Sequence, residues 1–355
     1  MMKQTFAVML VLLLAMGAAS AASLSPIEQL GKIMYQDKDF SFNATQSCQT
    51  CHHPVAGFAD PTNSRDPYYT VVSLGDDGVS KGGRNAPSSA YAGYSPELQR
   101  DDNGNYVGGL FWDGRATGLT ATLGDALAEQ AQGPPLNPVE MGMPDKEAVV
   151  EAVRNADYAT LFIDVFGAGA LDDTDAAFDN IARAIAAYER SVEVQKFNSR
   201  YDQGILTAQE QRGMALFEAN CAQCHSMVGA TGRGPLFTNY TYANIGVPIN
   251  PLLADNPVDL GLGPVVDDPD QDGKFKVPTL RNVGLSAPYS HNGYFPTLRD
   301  IVLFKNTRDV TSWGWEAPEV SANLDMDIGD LGLSDDDVDD IVAFLMTLTD
   351  NDRNR

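Results

Sequence analysis

Two copies of one short motif constrain this chain more than any other feature. Residues 48–52 read C-Q-T-C-H and residues 221–225 read C-A-Q-C-H, so each copy is a C-x-x-C-H sequence. In this motif the two thiols bond covalently to a heme, and the histidine that follows binds the heme iron. The spacing therefore predicts two c-type hemes. Their predicted attachment residues are Cys48, Cys51 and His52 for the first heme, and Cys221, Cys224 and His225 for the second.

The same cysteine pairs have other readings, because they could form two local disulfides, act as redox pairs or bind zinc. None of these functions requires a histidine directly after the second cysteine. The whole chain has only four cysteines and four histidines, and two of the histidines occupy that position. The placement favours heme attachment.

The first 21 residues predict an export signal. Lys3 is their only charged residue, residues 6–16 are apolar, and Ala19-Ser20-Ala21 fits a small-x-small cleavage site. A membrane anchor is the alternative, but the apolar run is shorter than the ~20 residues that span a bilayer. We therefore expect cleavage after Ala21, no membrane span, and a periplasmic protein.

The charge of the chain limits its partners. It has 48 acidic and 24 basic residues, for a formal net charge of −24. This balance argues against nucleic-acid binding, which needs a basic surface. It is compatible with a basic protein partner, and equally with an acidic surface that is only solvated.

An internal repeat predicts two related domains, residues 22–200 and 201–355. Residues 28–35 and 210–217 share the pattern E-Q-x-G followed by an apolar pair, and each stretch precedes one C-x-x-C-H motif. Ser25 with Glu28 forms a predicted capping box before the first stretch, and Thr207 with Glu210 forms one before the second. We expect a mainly α fold of two cytochrome c-like domains with little strand.

Further helices are predicted over 146–154, 176–192 and 334–348, where apolar residues recur at helical spacing. Long loops rich in Gly, Pro, Asn and Asp are predicted at 54–110 and 228–280. Residues 268–273 imitate the start of a calcium-binding loop, but its twelfth position is Thr279, where a bidentate Glu is needed. We interpret this segment as an acidic turn.

Beyond the two motifs, the mature chain resembles the bacterial diheme cytochrome c peroxidase and MauG family. The resemblance depends on several further segments taken together. They are R-N-A-P at 84–87, F-W-D-G-R-A at 111–116, E-Q-A at 129–131, G-P at 133–134, N-P-V-E-M at 137–141, P-T-L-R-N-V at 278–283 and A-P-Y-S-H-N-G at 287–293.

The resemblance implies a role for each heme and for several side chains. The N-terminal heme would react with hydrogen peroxide, the C-terminal heme would transfer electrons, and Trp112 would lie between them. Glu140 matches the family's distal acid/base, and Gln130 matches a distal glutamine that orients the peroxide. A calcium ion between the hemes is also implied, held by Asn85 and by the carbonyl groups of Ser286 and Pro288.

The sequence departs from the family pattern at two axial positions. Many members carry a second histidine about sixteen residues after the first motif, but residues 54–70 contain none, which predicts an open, five-coordinate N-terminal iron. Lys305 stands where other members have the methionine or tyrosine that binds the second iron. Three readings of that second site stay open: Lys305 is the ligand, Tyr294 or Met326 replaces it, or the protein supplies no sixth ligand.

Three functions remain compatible with the sequence. The first is a MauG-like enzyme that uses hydrogen peroxide to oxidise a protein substrate, and the absent histidine and methionine both favour it. The second is a detoxifying cytochrome c peroxidase that takes electrons from a small redox protein, either a cytochrome c or a cupredoxin. The third is a diheme electron carrier without peroxide chemistry, which Glu140 and Gln130 argue against.

Overall fold

The structure is a computed structural model that describes residues 23–229 and 232–351, so the predicted signal peptide lies outside the described residues. Twelve α-helices form within these ranges. They are α1 (Pro26–Gln36), α2 (Cys48–Cys51), α3 (Pro61–Arg65), α4 (Ala126–Ala131), α5 (Gly133–Leu136), α6 (Lys146–Asn155), α7 (Ala159–Phe166), α8 (Thr174–Glu189), α9 (Ala208–Asn220), α10 (Gly263–Val266), α11 (Leu298–Thr307) and α12 (Asp335–Met346). The strands are β1 (Gln99–Arg100), β2 (Tyr106–Val107), β3 (Tyr242–Ala243) and β4 (Phe275–Lys276). The predicted mainly helical fold with little strand is confirmed.

Each heme motif lies beside its own pair of packed helices. In the N-terminal half α1 packs against α8, and in the C-terminal half α9 packs against α12. The first pair buries Leu30 and Met34 in a core that also contains Ile185. The second pair joins Phe217 to Phe344 in a separate core. The two halves thus repeat one arrangement, a helix before the heme motif covered by a later helix.

The glycine of the E-Q-x-G repeat explains how closely these helices approach. A Cβ atom at Gly31 would lie 1.8 Å from the backbone oxygen of Ala184, and a Cβ atom at Gly213 would lie 1.8 Å from that of Asp340. Real side chains do not tolerate such contacts, so each repeat needs glycine where its helix crosses the partner. The repeated glycine therefore has a packing reason that the sequence pattern alone did not reveal.

The predicted helix starts are confirmed with their caps. Ser25 and Glu28 form the capping box of α1, and Thr207 and Glu210 form that of α9. Ser334 and Asp337 do the same for α12. The helix predicted over 176–192 is α8, which begins earlier because the side chain of Asp173 accepts a hydrogen bond from the amide of Ala176.

Two small antiparallel sheets position the segments between the halves. β1 pairs with β2, and β3 pairs with β4 so that Tyr242 lies opposite Lys276. An isolated bridge between Val107 and Thr241 joins the two sheets. The amide of Lys276 also donates to the carbonyl of Trp112, at 2.8 Å. Through these contacts the segment that carries Trp112 is fixed against the C-terminal half.

The predicted long loops are mostly irregular and contain only short helices and strands. Residues 268–273 form a turn around a short 3-10 helix, Pro269–Gln271, whose amide at Asp270 donates to the side chain of Asp268. In the part of the chain that the structure describes, no helix is both long enough and apolar enough to cross a membrane.

Candidate heme cavity and active site

One continuous, mostly apolar cavity contains both C-x-x-C-H motifs. All six predicted attachment residues line it: Cys48, Cys51, His52, Cys221, Cys224 and His225. The four cysteines are free thiols of intermediate burial. Burial raises the pKa of Cys51 to about 12 and that of Cys221 to about 11, so both remain protonated at neutral pH. The walls of the cavity thus offer unbridged thiols beside an apolar space, as heme attachment requires.

The two motif histidines are oriented by the same kind of hydrogen bond to a backbone carbonyl. Nδ1 of His52 lies 3.2 Å from the carbonyl oxygen of Phe58, and Nδ1 of His225 lies 2.8 Å from that of Phe237. A carbonyl can only accept, so Nδ1 is the donor and Nε2 carries a free lone pair. Burial lowers the pKa of His52, and it lowers the pKa of His225 to about 4. Both rings are therefore neutral and have Nε2 available for iron.

These observations fit heme better than the other readings of the cysteine pairs. Within residues 23–229 and 232–351, no group of three or more His, Cys, Asp or Glu side chains is placed to hold a metal ion. A zinc site needs about four such ligands. A free thiol pair followed by an oriented imidazole supplies what a covalently attached heme requires.

The two predicted peroxide-handling groups lie in the cavity, and the charge of Glu140 acts on both cysteines of the first motif. Gln130 lies in α4 and Glu140 follows α5, and both line the cavity. The side-chain amide of Asn137 donates to Oε1 of Glu140 at 2.6 Å and fixes that carboxyl. Burial raises the pKa of Glu140, although the Asn137 bond and the charge of Arg115 oppose the shift. A carboxyl in this setting can exchange a proton closer to neutral pH than an exposed one.

Trp112 lines the same cavity together with residues from both motifs. Its Nε1 donates to the carbonyl of Asn85 at 2.9 Å, which fixes the indole. Asn85 is buried, and its Nδ2 donates to the carbonyl of Val71 at 2.9 Å, so Oδ1 points elsewhere as an acceptor. Ser286 and Pro288 line the cavity as well. The three residues of the predicted calcium site therefore face one space.

Lys305 of α11 lines the cavity beside the second motif. Burial lowers the pKa of its amine, and the charge of Arg308 acts in the same direction. The two alternative ligands lie elsewhere: Tyr294 packs against Phe295 at a ring distance of 5.0 Å, and Met326 is 75% exposed. Neither Tyr294 nor Met326 is among the cavity-lining residues.

Comparison with known proteins agrees with this geometry. The model of the family described as "Di-haem cytochrome c peroxidase" matches residues 25–211, and the cytochrome c model matches residues 210–349. The chain is 43% identical to methylamine utilization protein MauG of Paracoccus denitrificans (strain Pd 1222), over 90% of this chain and 88% of that protein. The chain belongs to the di-haem cytochrome c peroxidase family. It is therefore a heme-dependent oxidoreductase that acts with hydrogen peroxide.

Other members of the di-haem cytochrome c peroxidase family are more distant. Cytochrome c peroxidase Ccp of Escherichia coli (strain K12) is 32% identical over 90% of this chain, which spans 57% of that protein. The crystal structure of the diheme peroxidase BthA from Burkholderia thailandensis E264 superposes with a TM-score of 0.79 at 31% identity. It covers 92% of this chain and 87% of the BthA chain. The fold of the family thus extends over nearly the whole chain.

The two histidines outside the motifs both make contacts of their own. Nδ1 of His53 accepts a hydrogen bond from the amide of Val55 at 3.1 Å, where it caps a short 3-10 helix. The ring of His291 stacks on Phe275 with centroids 3.6 Å apart, and its Nε2 lies 3.2 Å from Oε2 of Glu319. All four histidines of the chain lie in the described residues; His291 lines the shared cavity, whereas His53 does not.

Sequence reasoning missed three cavity residues. Glu189 at the end of α8 is 4% exposed, and burial raises its pKa to about 8. Tyr35 of α1 donates from its hydroxyl to the carbonyl of His52 at 3.1 Å. Lys276 of β4 lines the cavity near Trp112. The sequence could have indicated Tyr35, because it lies in the first repeat. Nothing in the sequence distinguishes Glu189 or Lys276 from the other charged residues.

Proposed function

We propose that the chain is a periplasmic MauG-like enzyme that uses hydrogen peroxide at the N-terminal heme site and draws electrons from a protein substrate through the C-terminal site. Two bound c-type hemes would supply the redox chemistry that breaks the O–O bond. The observation that carries the proposal is that Glu140 and Gln130 both line a cavity that also contains the oriented imidazole of His52.

Glu140 would move the proton that peroxide cleavage requires. Its carboxylate takes the proton from the inner oxygen of hydrogen peroxide and returns it to the outer oxygen, which leaves as water. Asn137 holds Oε1, so the second oxygen, Oε2, is left to make this exchange. Gln130 would donate a hydrogen bond that orients the peroxide. The raised pKa of Glu140 supports this role, because it brings the acid and base forms closer in energy.

The absence of a histidine from residues 54–70 is the second support for a MauG-like enzyme, because it would leave the first iron open to peroxide. His53 and His291 are both engaged in other contacts, as described above. We therefore expect a resting protein that reacts with peroxide without prior reduction.

Electrons from the protein substrate would enter through the C-terminal site. Trp112 lies in the shared cavity and is fixed by Asn85, so it would serve as the relay between the two heme sites. Lys305 would bind the second iron through its neutral amine, which its lowered pKa favours.

Stoichiometric hydrogen peroxide provides the test. The purified diheme protein should change its heme absorption within the mixing time of a stopped-flow instrument. Glu140→Gln should slow this change by about 10²- to 10⁴-fold, because the proton transfer loses its carboxyl. The control is Glu151→Gln, which alters a carboxyl on α6 that pairs with Arg154 on the surface. An unchanged rate in Glu140→Gln would exclude this residue as the acid/base, and no reaction in the wild type would favour a simple electron carrier.

A detoxifying peroxidase is the second candidate, favoured by the similarity to E. coli Ccp and by an acidic charge suited to a basic redox partner. Steady-state turnover with reduced cytochrome c or cupredoxin discriminates between the two. Fast turnover would support the detoxifying enzyme, and slow turnover together with oxidation of a protein substrate would support the MauG-like one.

Three finer assignments belong to the same proposal. Export would remove residues 1–21, which N-terminal sequencing of the secreted protein would test. One calcium ion would bind to Oδ1 of Asn85 and to the carbonyl groups of Ser286 and Pro288, which elemental analysis would test. The domain boundary would lie at residues 200 and 201, which limited proteolysis would locate.

A further inference from the structure

Lys276 occupies an unusual place in the cavity. It lies in β4, lines the space shared by the two heme motifs, and belongs to neither. Its Nζ donates to the carbonyl of Gly109 at 2.8 Å, and its backbone amide donates to the carbonyl of Trp112 at 2.8 Å. One residue thus contacts both ends of the segment from Gly109 to Trp112.

That segment is the turn that presents the indole. An isolated bridge between Leu110 and Ala116 closes the turn, and Nε1 of Trp112 donates to Asn85 on its other side. The backbone of Trp112 is therefore fixed by Lys276 and its side chain by Asn85. Loss of the Lys276 side chain would release one anchor of the turn and leave the other.

The charges around Lys276 leave its ammonium group without a carboxylate of its own. Asp113 is the nearby acid, but it is already paired with Arg84 at 2.6 Å and Arg115 at 2.9 Å. None of the ion pairs found among the described residues includes Lys276. The other ionisable groups on the surrounding elements are Tyr242 opposite it on β3, Asp259 bound to Arg84, His291 stacked on Phe275, and Glu319 bound to His291.

We propose that Lys276 is a positioning residue for electron transfer between the two heme sites, which holds Trp112 in place and puts a protonatable cation beside it. The proposal rests on the function assigned above in one respect only, that Trp112 carries electrons. The electron balance is simple: the indole gives one electron to the N-terminal site and regains one from the C-terminal site. No covalent bond forms or breaks.

The protonation state of Lys276 should shift the reduction potentials of the two heme sites. Burial lowers the pKa of its amine to about 7, although the charge of Asp113 opposes the shift. Below that pH the amine is a cation, and above it the amine is neutral, with its proton released to solvent. A nearby cation stabilises whichever neighbour has gained an electron. The reduction potentials of the heme sites should therefore be higher below about pH 7 and fall as pH rises through it.

An equilibrium redox titration of the holoprotein tests this without peroxide. Potentials of both hemes are measured optically from about pH 5.5 to about pH 9 in the wild type, Lys276→Met, Lys276→Arg and Lys274→Met. Lys274 is the control, because it lies two residues away, bonds to Gln271 and is not among the cavity-lining residues. We expect an inflection near pH 7 in the wild type and in Lys274→Met.

The two Lys276 variants should lose that inflection in opposite ways. In Lys276→Met the potentials should stay at the low values that the wild type reaches at high pH. In Lys276→Arg, which remains charged throughout, they should stay at the high values. A wild-type inflection that persists in Lys276→Arg would overturn the proposal, as would a wild type without one. Failure of the proposed function would instead show as a wild type that does not react with peroxide.

Discussion

At the scale of single residues, a backbone carbonyl decides what each motif histidine can do. The acceptors are Phe58 and Phe237, whose φ angles of 65° and 54° lie in the left-handed region that residues other than glycine seldom adopt. Both carbonyls are thereby turned toward an imidazole Nδ1. The same uncommon conformation thus recurs in both halves of the protein, although the two phenylalanines follow their histidines at different separations along the sequence.

Lys305 is the residue whose chemistry most separates this chain from the family pattern. Replacing it with alanine should remove the low-spin absorption and electron paramagnetic resonance signals of the C-terminal heme. The physical reason is that the neutral amine, favoured by burial and lining the cavity of the second motif, would be the strong-field ligand under our proposal. Both spectra are recorded on the oxidised protein near pH 7.

Two further variants make the Lys305 result interpretable. Met326→Ala and Tyr294→Phe remove the alternative ligands, and neither should change the spectra. A low-spin signal that survives in Lys305→Ala and disappears in either control would assign the ligand to that other residue. A signal that survives in all three would mean that none of these side chains binds the second iron.

At the scale of helices, the crossings of α1 with α8 and of α9 with α12 each bring a glycine against the backbone of the partner helix. Gly213→Ala should lower the free energy of unfolding by about 1–3 kcal/mol or more, because its Cβ would meet the backbone of Asp340 and the helices would have to separate. Gly31→Ala should act similarly against Ala184. Denaturant unfolding followed by circular dichroism measures both effects.

Gly82→Ala is the matched control for the glycine variants. A Cβ atom there meets nothing within 4 Å, and its φ is not in the left-handed region. We expect a change within about 0.5 kcal/mol, because the added methyl group displaces no neighbouring atom. Equal losses in Gly82→Ala and Gly213→Ala would show that the helix crossing is not the cause.

The elements also show what the sequence could and could not predict. Capping boxes such as Ser334 with Asp337 are local, so the starts of α1, α9 and α12 followed directly from spacing. The two C-x-x-C-H motifs are also short, local patterns, so the sequence predicted their cysteines and histidines directly. The approach of Lys276 to Gly109 joins residues 167 positions apart and depends on how β3 and β4 pack. The spacing of residues along the chain does not predict a contact between residues so far apart.

At the scale of the whole molecule, one buried guanidinium lies where the two halves meet. Arg281 is 1% exposed, its Nη1 lies 2.6 Å from Oδ2 of Asp202, and its guanidinium packs against the rings of Tyr91, Phe197 and Phe237. Tyr91 belongs to the N-terminal core and Phe237 to the C-terminal one. The ion pair therefore holds together a contact that neither half completes alone.

Removing that cation should destabilise the protein and change its response to acid. Arg281→Leu leaves Asp202 buried without its partner, so we expect a loss of about 3–5 kcal/mol in the free energy of unfolding near pH 7. Burial alone would raise the pKa of Asp202, but the bonds to Arg281 and Ser199 lower it overall. A depressed carboxyl pKa stabilises the fold above the unfolded value of about 3.9 and ceases to do so as pH falls through the folded one.

The difference between wild type and Arg281→Leu should therefore shrink in acid. Denaturant titrations at about pH 7 and about pH 3 measure it. Arg299→Leu is the control, because Arg299 pairs with Asp335 at 2.8 Å and both side chains are exposed, at 40% and 73%. Exposed pairs contribute about 0–1 kcal/mol, so that variant should lose little at either pH. A loss in Arg281→Leu no greater than that of Arg299→Leu would mean that the buried ion pair of Arg281 stabilises the protein no more than an exposed pair does.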